Sequence, residues 1–79
     1  MSNQPNNQIQ SQAPLLYTVP ELAERLETSK PAIRALIRAG RLRALKLGSL
    51  KVTAKEVDRF LEENVGKDLT DPFNIKDIG

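Results

Sequence analysis

"TVPELAERLETSKPAIRALIRAG", residues 18–40, reads as two short helices with almost nothing between them. Thr18 stands three residues before Glu21, which is the capping-box spacing. In that motif the Thr oxygen accepts from an orphan backbone N–H while the Glu carboxylate reaches back to the cap. Pro20 falls in the first turn, where its missing N–H removes no helical bond. Leu22, Ala23 and Leu26 then line one side, leaving Glu21, Glu24, Arg25 and Glu27 to solvent, so a first helix is expected over Val19–Leu26. Thr28 or Ser29 can cap a second helix that has Pro31 in its first turn. Ile33, Leu36 and Ile37 supply its i, i+3, i+4 stripe, and Gly40 a left-handed stop.

The other side of the second helix carries Lys30, Arg34 and Arg38, spaced by four, with no acidic residue on the same helix. Like charges four apart destabilise a helix by a few tenths of a kcal/mol per pair. Stability alone would have mixed in glutamates, as the first helix does. The pattern extends onward: Lys30, Arg34, Arg38, Arg41, Arg43, Lys46 and Lys51 put +7 into 22 residues without one Asp or Glu. Residues 15–29 carry −2 and residues 52–79 carry −3, so a net charge of only +2 hides a strongly basic middle third. A solvated basic face would have this composition. A single-sign field across consecutive elements is also the footprint of an anion-binding surface.

After Gly40 the period changes to two. In "RLRALKLGSLKV", residues 41–52, Leu45 and Leu47 alternate with Lys46, Gly48-Ser49 signals a turn, and Leu50 and Val52 alternate with Lys51. A two-stranded hairpin follows, its four apolar residues closing the core and Lys46 with Lys51 sharing the outer face. So short a ladder has to pack against helices to be stable. "TAKEVDRFLEEN" repeats the capping spacing with Thr53 and Glu56, predicts a third helix with Val57, Phe60 and Leu61 buried, and stops near Gly66. Residues 67–79, with the Asp71-Pro72 breaker and alternating charges, read as a C-terminal tail with little regular structure, against which Leu69, Phe73 and Ile75 could dock weakly. Residues 1–14 are dominated by Asn, Gln, Ser and Pro and read as a disordered tail. The folded domain is expected over 15–66, with Tyr17 packing at its entrance and Phe60 in its core.

Bulk properties narrow the function classes. Seventy-nine residues make one small domain with a marginal core. No Cys or His is present, so disulfides, zinc sites and the nucleophile–base pairs built on these residues are excluded. No Gly-rich phosphate loop occurs, and the carboxylates sit among cations on exposed helix faces. The expectation is a non-enzyme without a cofactor. No signal peptide or membrane-spanning stretch is visible, which suits a soluble cytoplasmic protein.

Helix, tight break, basic helix, basic hairpin, helix is a mainly α arrangement with a small β-hairpin: a winged helix-turn-helix. Its second helix fits the DNA major groove, where Arg and Lys read guanine edges or neutralise phosphates. The run "LYTVPELAERLETSKPAIRALIRAGRLRALKLGSLKVTAKEVDRFLEE", 48 of the 79 residues, resembles the excisionase-like, MerR-type winged helix-turn-helix family. The resemblance rests on the opening Thr-x-x-Glu with its Leu-Ala pair, the Ser-led second helix ending in Ile-Arg-x-Gly, the short strand to Gly48 and the capped third helix. The tail "GKDLTDPFNIKDIG" is similar to the ends of small excisionase-like proteins of mobile elements in Gram-positive bacteria. Two departures stand out. Glu27 takes a turn position where the family often has Gly, at a cost on the order of 1 kcal/mol if the backbone there is left-handed. Gly48 is followed by Ser49, Leu50 and Lys51 instead of a cluster of basic and aromatic residues, which weakens the wing's expected grip.

The resemblance implies that the N-terminal half of the second helix meets base edges. Arg34, in its second turn, is the candidate for bidentate base contact, with phosphate clamping or an idle surface cation as alternatives. Lys30 suits a phosphate. Arg38 suits either a phosphate or the helix dipole. Ser29 suits a cap better than a base contact. Arg41, Arg43, Lys46, Ser49 and Lys51 form the wing and its approach, although alternation with core leucines alone would also expose these cations. The implied role is that of an excisionase, or recombination directionality factor. Copies would bind double-stranded DNA side by side near an attachment site, bend it, and help an integrase run towards excision, with no membrane involved. No intercalating wedge is evident, so bending would come from phosphate neutralisation and cooperative packing. A transcriptional regulator of the same fold, and an interaction module whose basic face binds an acidic partner, are the alternatives.

Overall fold

A computed structural model describes residues 14–79. The expected disordered tail falls outside them, except for Pro14. The first strand, β1, is Leu16–Thr18, and it runs directly into helix α1, Val19–Arg25. Thr18 forms the complete capping box. Its Oγ1 accepts from the Glu21 N–H at 3.2 Å, and its own N–H donates to Glu21 Oε1 at 2.8 Å. These two bonds, the backbone one first, hold the Glu21 carboxyl below the usual carboxylate range.

The break after α1 is a Schellman turn. The Thr28 N–H donates to the Ala23 carbonyl at 2.8 Å and the Glu27 N–H to that of Glu24 at 3.1 Å. The motif requires a left-handed residue between them, and Glu27 takes that role with φ +57°. Helix α2, Lys30–Arg38, ends in the same motif. The Arg41 and Gly40 N–H groups donate to Leu36 and Ile37 at 2.9 and 3.0 Å, and there Gly40 is left-handed at φ +77°. The expected departure from the family pattern is therefore a real backbone feature: the turn keeps its geometry and Glu27 bears the strain.

Strands β2, Leu45–Leu47, and β3, Ser49–Thr53, form the predicted hairpin, and β1 adds to the far side of β3 to make an antiparallel sheet ordered β1-β3-β2. This third strand was not anticipated. Its register pairs Leu16 with Thr53, Tyr17 with Val52 and Thr18 with Lys51. Helix α3, Ala54–Asn64, leaves β3 directly. Its cap is only half the expected box. Thr53 Oγ1 accepts from the Glu56 N–H at 3.0 Å, but the Glu56 carboxylate turns away to Arg43 and Arg59.

The hairpin register corrects one expectation. Gly48 alone, at φ +77°, makes the turn, so Leu47 pairs with Ser49, Lys46 with Leu50 and Leu45 with Lys51. Directly paired residues share a face, and neighbours along a strand lie on opposite faces. Leu50, Val52 and Tyr17 therefore share the core face, and Lys46 lies beside them. Leu45, Leu47, Ser49 and Lys51 occupy the other. Lys46 and Lys51 do not share a face. Leu45 and Leu47 do not close the core, being 40% and 62% exposed. A one-residue change in turn length reverses every side chain of a strand, and that happened to β2.

Leu42 supplies the missing apolar volume. It is fully buried with Leu22, Ile33 and Val52, alongside Val19, Ala23, Leu36, Val57 and Phe60. Ile37 packs at the rim, as do Tyr17 and Leu50. Leu61, expected in the core, is 44% exposed because it lies past Phe60 on the side of α3 that faces a cleft towards the C-terminal segment.

That segment is more ordered than expected. β4, Lys67–Asp68, pairs with β5, Lys76–Asp77, the opposite charges crossing the ladder, and Lys67 Nζ lies 3.2 Å from Asp77. The Thr70 hydroxyl and N–H hold the turn by bonding Asp68, and they lower its carboxyl pKa. Leu69 packs on the core and Pro72 is buried, whereas Phe73 stays 64% exposed. Alternating charge was thus the mark of a paired ribbon.

Candidate nucleic-acid interface

Ser29 sets the start of α2. Its backbone is extended, and its Oγ accepts from the Ala32 N–H at 3.2 Å, so its oxygen is already engaged as a cap. From there Lys30, Arg34 and Arg38 rise along one side of the helix. At about 100° per residue they lie within roughly 80° of one another. All three are exposed, and none takes part in an ion pair among the described residues. Opposite them Ala32, Ala35 and Leu36 turn inward to an apolar cleft with Phe60 and Leu69. The division between a buried side and a cationic side is therefore complete on α2. Arg38 also sits in the last turn, where it complements the helix dipole.

Arg34 is the cation that the fold brings to the wing. It borders an open cleft of about 370 Å³ together with Thr18, Val19 and Pro20 at the start of α1 and with Ser49 and Leu50 of β3. Lys46, paired with Leu50, lies on the sheet face that looks into this cleft, and it is exposed. Arg34 is the cation that lines the cleft, and Lys46 stands on the sheet face of Leu50, which also borders it. Ser49 is exposed at the wing tip beside them.

The remaining approach residues are differently engaged. Arg41 donates from Nε to the Pro72 carbonyl at 2.9 Å, which ties the C-terminal ribbon to the end of α2. Lys51 donates from Nζ to the Leu47 carbonyl at 2.9 Å, bracing the hairpin on the face opposite Lys46. Arg43 presents its side chain to solvent, but its N–H donates to Glu56 Oε2 at 2.8 Å.

Glu56 was read from sequence only as a cap partner and Arg59 was not singled out, although their i, i+3 spacing, with Glu63 one turn further, is the signal that would have found the pair. Arg59 bonds Glu56 through two nitrogens and Glu63 through a third contact, and it also donates to the Arg41 carbonyl at 3.1 Å. The Arg59 guanidinium, and behind it the Arg43 N–H, hold the Glu56 carboxyl down to about 2. Glu56 in turn raises the pKa of Arg59. The pair clamps residues 41–43, the link between α2 and the wing, onto α3. It fixes the wing's placement relative to the cationic helix without adding a cation to the surface. Elsewhere, Arg25 lies 5.4 Å over the Tyr17 ring, so it is packed apart from the row on α2.

Among the described residues no cluster of acids could hold a metal ion, and no helix is long and apolar enough to cross a membrane. No curated protein and no solved structure matches the chain. A family model described as "Helix-turn-helix domain" matches residues 16–65, from the first strand to the end of the third helix. With two capped helices joined by the four residues 26–29, a cationic side on the second that is unpaired among the described residues, and a wing clamped beside it, the chain belongs to the helix-turn-helix domain family of DNA-binding proteins.

Proposed function

We propose that the protein is a non-catalytic accessory factor of site-specific recombination, an excisionase that binds duplex DNA near the attachment sites of a mobile element and favours integrase-mediated excision. The observation that carries DNA recognition is the exposed cationic row of Lys30, Arg34 and Arg38 along α2, with Arg34 bordering a cleft beside the wing. Arg34 occupies the second turn of α2, within reach of base edges once the helix lies in the major groove. Lys30 and Lys46 flank it at the positions of the phosphate walls. The recombination role draws support from the excisionase-like resemblance over residues 16–63.

Arg41 and Lys51 play lesser parts in this reading. Their head groups already serve the C-terminal ribbon and the hairpin backbone. The working contacts are therefore concentrated on α2 and Lys46.

Excision is the decisive assay. The chain is supplied in trans to a host carrying the element that encodes it, and junction products are counted beside reporter output from the element's promoters. The excisionase reading expects excision to rise by an order of magnitude or more while promoter output stays level. A change in promoter output alone would overturn it in favour of a transcriptional regulator.

A further inference from the structure

The wing ends in two outward leucines that the core does not use. Leu45 and Leu47 stand at i and i+2 on β2, on the face turned away from the helices. Leu47 adjoins the Gly48 turn and is 62% exposed. Strand β2 is also one of the two edge strands of the sheet. An exposed, apolar edge strand is an aggregation hazard that proteins usually blunt with charge. Here the only charge on the strand, Lys46, projects to the opposite face. Folding does not call for these leucines, since Leu42, Val52 and Leu50 fill the positions beneath the sheet.

We infer that Leu47, backed by Leu45, is an apolar wedge with which the wing enters the DNA minor groove next to the major groove occupied by α2. This rests on the DNA-binding reading and adds a contact of a different chemical kind. Three observations converge on it. The wing tip adjoins the cleft that Arg34 borders, because Ser49, the cross-strand partner of Leu47, lines it. The tip is rigid where it matters, since Lys51 Nζ binds the Leu47 carbonyl and the Glu56–Arg59 clamp fixes the wing's root. The hairpin also offers two different faces. Lys46 stands on one and Leu47 on the other, so a phosphate contact and an apolar contact can be made side by side.

The geometry makes such an insertion a bending device. Two paired strands lie about 4.8 Å apart. The minor groove is about 6 Å wide. A hairpin tip with a leucine side chain cannot seat there unless the groove opens, and opening by an apolar wedge kinks DNA towards the major groove. In this reading the bend arises from the wing as well as from phosphate neutralisation.

The test compares the full chain with its Leu47→Ser and Lys46→Ala variants on one preferred duplex, measuring affinity against salt and bend angle by circular permutation. Leu47 is largely exposed, so the serine variant should melt like the parent, which a thermal scan establishes first. The inference expects Leu47→Ser to lose most of the bend and about tenfold in affinity while leaving the salt slope unchanged, because an apolar contact releases no counterions. Lys46→Ala should flatten the slope by about one and keep most of the bend. An unaltered bend and affinity for Leu47→Ser would overturn the wedge. So would a DNA-free dimer of the parent that the same substitution dissolves, since the leucines would then serve a second copy. A parent that fails to bind duplex at low salt would instead defeat the DNA-binding reading itself.

Discussion

Replacing Glu27 by Gly should make this protein more stable, although it removes a charged surface side chain. Glu27 holds the left-handed position of the α1 Schellman turn at φ +57°, and its carboxylate has no hydrogen bond or ion pair among the described residues. A left-handed L-residue costs about 1–2 kcal/mol, which glycine avoids. Glycine gives back about 0.4–1 kcal/mol through its freer unfolded chain. The net gain is then about 0.5–1 kcal/mol, or roughly 3–6 °C in Tm for a domain of this size. Gly40 provides the reverse experiment in the same molecule. It fills the equivalent position of α2 at φ +77°, with nothing within 4 Å of the Cβ that a substitution would add. Gly40→Ala should thus lose about 1 kcal/mol from backbone strain alone. Urea titration of both variants reads these values directly. A Glu27→Gly variant less stable than the parent, with Gly40→Ala unchanged, would refute the assignment of strain to the turn.

Other expectations follow from the clamp and the cationic face. The Glu56 carboxyl is depressed in the folded state to about 2 from 4.5, so its contribution is complete above pH 4.5 and is lost as pH falls towards 2. Taken alone the shift is worth about 3 kcal/mol, and screening at the partly exposed Arg59 trims this to about 2. Glu56→Gln should therefore be less stable than the parent at pH 7 and nearly equal to it at pH 2, and an equal deficit at both would exclude the clamp. Arg34→Ala should cost about 1–3 kcal/mol on a preferred duplex and blur sequence choice, whereas Lys46→Ala should weaken all duplexes alike. Equal losses on specific and random DNA for Arg34→Ala would reverse its role. Arg41→Ala should release the C-terminal ribbon, read as faster exchange of the Ile78 amide, which donates to the Gly66 carbonyl at 3.0 Å. Unchanged exchange would show that Leu69 and Pro72 hold the ribbon unaided.

The parts of the fold legible in the sequence were those written in local contacts. Thr18 with Glu21, Ser29 with Ala32, and Thr53 with Glu56 are all bonds between residues three apart, so caps and helix limits can be read along the chain. The cationic side of α2 was equally legible, because helical periodicity alone aligns Lys30, Arg34 and Arg38. What escaped depended on distant partners or on a single residue of register. Gly48-Ser49 and Gly48 alone are both plausible turns in sequence, yet they send Leu45 and Leu47 to opposite faces. Leu42, not Leu45 or Leu47, carries the buried position. The Glu56 carboxylate left its expected cap for Arg59 and for an N–H thirteen residues away. The ribbon of residues 67–77 is held to the rest of the fold by Leu69 and by the bond from Arg41 to the Pro72 carbonyl, contacts that no local window displays.

The most direct test of the central claim is duplex affinity as a function of salt. Lys30, Arg38, Arg43 and Lys46 make about four phosphate contacts, with Arg34 kept for base edges. The plot of log affinity against log salt should then fall with a slope of about −4, and should flatten by about one for each of these four cations removed. A slope near zero, or no measurable binding at low salt, would contradict the assignment of this surface to DNA.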